Sequence, residues 1–415
     1  MAVHDANGLQ RVVVTGIGAV SCVGVGSAAL LAALRERRHG LRRMPAFASL
    51  GMRGRVGGPV DAVALPDEPP RKLRRFMGAP ARYAWHAANE AIAQSGLVPA
   101  QLAQPSVGVV IGGGAALSEH ERALASHRAK GIAKLSPFIV PLGMSCAPSA
   151  SLALAYGLRG VSYTLSAACS SGAHAIGHAL DLIRLGRQEV VITGGTDELH
   201  PSTAMWFDAM GALSTQLDPA HAARPFHRDR DGLVLAAGAG VLVLESLAHA
   251  QARGARVLAE LAGYGSATDA DNMVASGSAG IAHAMRSALA GARHSPDYLN
   301  AHACGTAGDL AEWQAIARVF AERQTPVPPM SSLKGLLGHA PQAAGALDAV
   351  ACVLMLQHGL LAAGAEIDAR DPAFAAAPLL EANRAAQIES VLSTSFGFGG
   401  SCAALLLRRC AEAGT

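Results

Sequence analysis

The chain has 415 residues, of which 51% are hydrophobic and 16% charged, and it carries a formal net charge of +3. It can bury a large core as one large domain or two to three ordinary ones, and so small a charge gives no ground for nucleic-acid binding. Met1 to Gln10 shows no basic segment followed by an apolar run, and no uncharged stretch has convincing membrane-spanning flanks, so the expected location is the cytoplasm. Seven cysteines (Cys22, Cys146, Cys169, Cys304, Cys352, Cys402, Cys410) form an odd set without CxxC spacing, which fits reduced thiols better than a disulfide framework.

In chain order, the β-branched run Arg11 to Ile17, closed by Gly16 and Gly18, predicts a buried strand, and Val25 to Arg37 a helix. The basic run Arg71-Lys72-Leu73-Arg74-Arg75 reads either as solvated surface or as a dock for an acidic partner. A helix over Arg82 to Ser95, ended by Gly96, leads to the strand Val107 to Ile111. Gly112-Gly113-Gly114 is no phosphate loop, because neither Lys-Ser/Thr nor GxGxxG spacing follows. Leu117 to Met144 reads as an excursion carrying a second basic group around Arg128, Lys130 and Lys134. Next, Ser162 to Leu165 predicts a strand running through a turn into a helix that starts at Cys169 and ends near Arg184. A cysteine there meets unpaired backbone N–H groups and the positive end of the helix dipole, which favour thiolate over thiol. The competing reading is one more small buried residue. His174 and His178 stand four apart on this helix, a metal-like spacing without a third ligand, and a packing role is the better reading.

Glu189 to Thr193, closed by Gly194-Gly195, Val241 to Glu245 and Val257 to Leu261 predict strands, and Ala279 to Gly291 a helix. Tyr298 to Ala301 predicts a short strand that delivers His302 to its end. A strand-like Pro328 to Ser332 leads through Lys334 to Gly338-His339, followed by a small-residue helix from Ala343 to Gln357. Val391 to Phe396, the turn Gly397-Phe398-Gly399-Gly400 and the strand Ser401 to Leu407 end the chain. Strands interleaved with helices point to an α/β architecture with largely buried parallel sheets, and the second half repeats the strand, turn, reactive residue and helix of the first. No Pro/Ser-rich linker separates them.

One cysteine, two histidines that each follow a strand, a lysine five residues before the second histidine and a Gly-rich turn make a distinctive set. Together with RVVVTGIGAVS at Arg11 to Ser21, SAACSSGAHAIG at Ser166 to Gly177, FDAMGALST at Phe207 to Thr215, RPFHRDRDGLVLAAGAG at Arg224 to Gly240, YLNAH at Tyr298 to His302, LKGLLGH at Leu333 to His339 and SFGFGG at Ser395 to Gly400, the chain resembles the β-ketoacyl-[acyl carrier protein] synthases, of the bacterial synthase I type. The resemblance covers essentially the whole length.

It implies a thiolase-like five-layered αβαβα fold of two similar halves, 1–250 carrying the cysteine and 251–415 the histidines, as a homodimer. It implies acyl transfer onto Cys169, then decarboxylation of a malonyl thioester on the carrier protein and attack of the enolate on the acyl-enzyme. Matching positions give the backbone N–H groups of Cys169 and Phe398 as oxyanion hole, His302 and His339 as imidazole donors, and Lys334 as the cation ordering them through Glu312. Phe398 gates the acyl pocket; Phe207, Thr306, Phe396 and Gly399 contact substrate. Lys72, Arg75, Lys130 and Lys134 match cations that bind the acidic acyl carrier protein. Neither metal nor organic cofactor is required.

Departures from the family pattern accompany these matches. After the first histidine stands Ala303-Cys304-Gly305-Thr306-Ala307 in place of Gly-Thr-x-Thr-Pro, one residue short before Gly308-Asp309; after His339 stands Ala340-Pro341-Gln342; after the last glycines stands Ser401-Cys402. They point to a specialised polyketide or polyene pathway, with a second synthase-like subunit as a possible heterodimer partner. A degradative thiolase would use a second cysteine near the C-terminus, for which Cys402 is the candidate, but His339 and Lys334 belong to the decarboxylating branch. A non-catalytic chain-length subunit normally lacks the nucleophile.

Overall fold

The structure, a computed structural model, describes residues 2–5, 7–60, 63, 65–275 and 277–410. Met1, where the segment read for targeting signals begins, lies outside them. The first strand, β1 (Val12–Ser21), is buried at every position. It does not stop at Gly16 and Gly18 as the sequence suggests. The helix α1 (Ala79–Ser95) crosses it so closely that a Cβ on Gly16 would lie 1.9 Å from the Ala91 carbonyl oxygen, and one on Gly18 equally close to that of Ala87. These glycines therefore let a helix lie directly on a strand rather than ending it.

Four strands complete the first half: β2 (Val107–Gly112), β3 (Ser162–Leu165), β4 (Val190–Asp197), which runs on through Gly194 and Gly195, and β5 (Gly238–Ser246). The second half contributes β6 (Ala259–Thr268), β7 (Tyr298–Asn300), β8 (Met330–Ser331), β9 (Ser390–Gly397) and β10 (Ser401–Arg408). Their order across the sheet is β8-β7-β9-β10-β6-β1-β5-β4-β2-β3, with Gly24–Val25 paired on β1. Each half thus has the same order, third-second-fourth-fifth-first. The expectation of largely parallel sheets needs correction: β2 is parallel to β3 and β4, and β7 to β8 and β9, but β1, β5, β6 and β10 pair antiparallel.

Two central helices separate the halves. α4 (Ser171–Arg184) packs on β4 and β2 of one half and β6 and β10 of the other, while α7 (Ala344–His358) packs on β5 and β9 and against α4. Flanked on both sides by sheet, α7 is buried from Ala344 through Met355 to Leu356, which explains a helix apolar all round. Outside lie α1 and α3 (Ala147–Tyr156) on the first half, and α5 (Ser278–Ala288) and α6 (Gly308–Glu322) on the second. This is the five-layered thiolase-like fold. The excursion read over Leu117 to Met144 contains the helix α2 (Leu117–Lys130). Among the described residues no helix is long and apolar enough to cross a membrane.

Candidate active site

Cys169 sits between β3 and α4. The helix begins at Ser171, two residues later than expected, and Ala168 takes φ 49°, a left-handed conformation uncommon for a residue with a Cβ. The bend is held from within: the Ser171 hydroxyl donates to the Ala168 carbonyl at 2.6 Å and accepts from the Ala167 N–H at 2.8 Å. The end of β9 presses against it, since a Cβ on Gly397 would stand 2.8 Å from the Cys169 nitrogen and 3.0 Å from the Ala167 oxygen. Only glycine brings the Phe398 turn so near the thiol, whose sulfur meets the backbone N–H groups of Phe398 and Cys169.

The expectation of a depressed thiol pKa is not met. Complete burial, with Asp197 nearby, pushes Cys169 up to about 12, while Lys334 and the two backbone N–H groups act in the opposite direction. Burial outweighs the Lys334 charge and the two N–H groups because the sulfur is held away from water. Asp197 is itself raised to about 7 by burial, although it accepts the N–H groups of Glu198 and Gln342, each at 2.9 Å.

His302 and His339 come from the second half. Their rings meet edge to face with centroids 5.3 Å apart, and Phe396 packs on His302 at 5.4 Å. Both imidazoles are held neutral: burial and the Lys334 charge push His302 well below its ordinary value, with His339 adding to it, and the same two causes bring His339 down to about 3. Among the described residues, Nδ1 of each ring is buried without a hydrogen-bond partner.

Glu312 does not partner Lys334, which corrects the sequence expectation. Its carboxylate accepts the backbone N–H groups of His302 and Ala303, each at 2.8 Å, and the Thr394 hydroxyl at 2.8 Å. It fixes the main chain that presents His302, and burial raises it to about 7. Lys334 instead pairs with Asp348 of α7 at 2.9 Å, both side chains almost wholly buried. Asp348 escaped sequence reading because it lies in an otherwise apolar helix; an isolated acid in such a helix was the available signal.

One cavity of about 490 Å³ collects most of these groups: Cys169, His302, His339, Phe396 and Phe398 line it, as do Phe207, Cys304, Thr306 and Glu312. Phe207 stacks on Phe398 with centroids 5.8 Å apart. Thr306 lies in a loop whose N–H groups, from Cys304 to Thr306, converge on the buried Asp309 carboxylate, a second residue that sequence reading did not single out. Gly399, at φ 79°, belongs to the turn but not to the cavity lining. Cys402 is buried and does not line the cavity either. His174 and His178 make hydrogen bonds to Tyr264 and Tyr163, each 2.7 Å, and no cluster able to hold a metal occurs among the described residues.

Lys72, Arg75, Lys130 and Lys134 lie away from the cavity, all exposed. The Arg75 guanidinium stands over the rings of Phe76, 4.7 Å, and Phe138, 5.0 Å, so the two basic segments share an aromatic seat.

Comparison with known proteins places the chain in a family. Residues 9–250 match the family profile "Beta-ketoacyl synthase, N-terminal domain" and residues 258–368 "Beta-ketoacyl synthase, C-terminal domain". The chain is 38% identical to 3-oxoacyl-[acyl-carrier-protein] synthase 1 of Haemophilus influenzae over 408 residues, 97% of this chain and 99% of that one. A crystal structure of a β-ketoacyl synthase from Burkholderia phymatum superposes with a TM-score of 0.89 at 35% identity, covering 96% and 99% of the two chains. A type II polyketide ketosynthase bound to the hexaketide and in complex with its acyl-carrier protein superposes with a TM-score of 0.86 at 28% identity, covering 97% and 100%. A cysteine at a strained bend, two neutral imidazoles lining the same cavity and similarity along nearly the whole length lead to one conclusion: the chain belongs to the β-ketoacyl synthase family.

Proposed function

We propose that the protein is an acyltransferase that condenses an acyl group held on Cys169 with malonyl-[acyl carrier protein], giving 3-oxoacyl-[acyl carrier protein] and CO2. The observation that carries this reading is the convergence of Cys169, His302 and His339 on one cavity. In the first step the Cys169 sulfur attacks the acyl thioester, its proton leaves with the carrier thiol, and the carbonyl oxygen gains charge against the N–H groups of Cys169 and Phe398. In the second, the neutral rings of His302 and His339 donate to the malonyl thioester oxygen, CO2 departs, and the enolate carbon attacks the Cys169 thioester. Collapse of that adduct releases the sulfur, which regains a proton. Neutral rings suit this role: an enolate is stabilised by donation without the ring surrendering its proton.

Burial, helped by the Lys334 ammonium that Asp348 holds in place, keeps both rings unprotonated. Glu312 positions His302 by its backbone, Phe207 and Phe398 bound the acyl entrance, and Thr306 and Phe396 border the substrate path. The exposed cations Lys72, Arg75, Lys130 and Lys134 receive the acidic carrier. The halves 1–250 and 251–415 act as one unit, because nucleophile and donors come from different halves. A homodimer is the assembly we favour; β3, at one end of the sheet, offers its outer edge to a second copy.

Incubation with an acyl carrier followed by intact-protein mass measurement tests the assignment. Cys169→Ala is expected to abolish the adduct, whereas His302→Ala or His339→Ala keeps acylation measurable and removes condensation. An adduct persisting on Cys169→Ala would reject it.

A further inference from the structure

We propose that His174 is a positioning residue that holds the two halves of the oxyanion hole in register through Ser401 and Ser170. The inference rests on the reading of Cys169 and Phe398 given above. On the face of α4 that meets the second half, His174 is buried and uses both ring nitrogens: Nδ1 lies 2.7 Å from the Tyr264 hydroxyl of β6 and Nε2 lies 2.8 Å from the Ser401 hydroxyl that opens β10. The Ser401 and Ser170 hydroxyls are 3.0 Å apart, and Ser170 donates to the Ala167 carbonyl at 2.7 Å.

Ser170 directly follows the nucleophile, and Ser401 is three residues beyond Phe398. The hydrogen bond between them therefore spans from one oxyanion donor's strand-to-helix bend to the other donor's turn. That turn needs a restraint, for Gly399 and Gly400 take φ 79° and 75° and offer no side chain to pack. Its other side is tied by the Gly399 N–H to the Met273 carbonyl at 2.7 Å and by the Asp269 N–H to the Gly400 carbonyl at 3.2 Å. The serine bridge is the tie on the thiol's side.

The Ser170 hydroxyl is the donor both to the Ala167 carbonyl and to the Ser401 oxygen, which leaves the Ser401 proton for Nε2 of His174 and Nδ1–H for the Tyr264 hydroxyl. The ring at the centre then carries one proton. Burial agrees, pushing His174 down to about 4. A neutral imidazole bridging two hydroxyls from different strands orients the Ser401 hydroxyl, and through it sets the spacing of the two N–H groups that meet the acyl oxygen.

The test separates the two partial reactions. Acyl transfer uses the oxyanion hole; release of CO2 from malonyl carrier uses His302 and His339. For His174→Phe, which keeps a ring but loses both hydrogen bonds, the acylation rate constant is expected to fall at least tenfold while the acyl-carrier KM and malonyl decarboxylation stay within about twofold, since donor misplacement of this kind acts on the transition state. His174→Gln, whose amide offers both a donor and an acceptor, should recover most of the loss. Ser401→Ala removes the bridge with little change in volume and should show the same split, which decides the question if His174→Phe does not fold. Equal loss of acylation and decarboxylation, or unchanged acylation in Ser401→Ala, overturns the proposal. An adduct on Cys169→Ala would instead overturn the reading beneath it.

Discussion

At the scale of single residues, the site is a set of titrating groups held away from their ordinary charge by burial. His339, ordinarily near 6.5, is brought to about 3. The linkage has a definite sign: below pH 6.5 the unfolded chain takes up a proton that the folded imidazole refuses, so stability falls as pH drops from about 6.5 towards 3. His174, brought to about 4, adds in the same sense. Denaturant titrations between pH 7 and 4 are expected to show this loss, and His339→Gln should reduce the slope by about 1 kcal/mol per pH unit; an unchanged slope would mean that the ring is protonated in the folded protein. The Lys334–Asp348 pair gives a second residue-level expectation. Asp348→Asn strands a buried ammonium and is expected to cost about 3–5 kcal/mol in chemical denaturation, whereas Lys334→Met with Asp348→Leu recovers most of that stability and abolishes condensation. A pair kept despite the cost of burying it points to its use in chemistry.

At the scale of elements, reactive groups sit where one element gives way to the next. Cys169 lies between β3 and α4, His302 follows β7, and Phe398 follows β9. Each is aimed by the rigid strand before it; the N–H groups of Cys169 and Phe398 meet the thiol, whereas that of His302 is held by the Glu312 carboxylate. The contact between Gly397 and the Cys169 bend shows how narrow the tolerance is. Gly397→Ala would place a methyl group 2.8 Å from the Cys169 nitrogen. It is expected to slow acylation on the order of a hundredfold by shifting the bend or the turn about an ångström. Stopped-time mass measurement of the adduct checks this, with circular dichroism showing an intact fold; acylation at the parent rate would show that the bend can yield without harm.

At the scale of the molecule, two halves with one strand order enclose a central layer, α4 and α7, that belongs to both. The nucleophile comes from one half and the imidazoles from the other, so the active site exists only when both are packed. The carrier surface we propose lies elsewhere, on exposed cations of which Arg75 stands over Phe76 and Phe138. Binding of an acidic carrier should weaken as salt rises, since exposed charges are screened beyond about 8 Å at physiological ionic strength. Lys72→Glu with Arg75→Glu should weaken it a further tenfold or more by surface plasmon resonance. Salt-independent binding, unaffected by the double substitution, would place the carrier on another face.

The sequence by itself determined the element types and the residues at strand ends, because a β-branched run, a turn and an uncharged helix leave a cysteine or histidine at the junction little freedom. It also carried the ordered motifs that mark the family. The tertiary structure alone decided three matters. Lys334 pairs with Asp348 rather than Glu312, because the choice between two distant acids depends on which helix lies behind the rings. Cys169 is raised rather than lowered, because desolvation depends on how completely the second half covers the thiol. The glycines of β1 serve a close helix crossing rather than a strand end. Each depends on a contact between segments far apart in the chain, and local pattern contains no information about depth of burial or about which distant segment arrives.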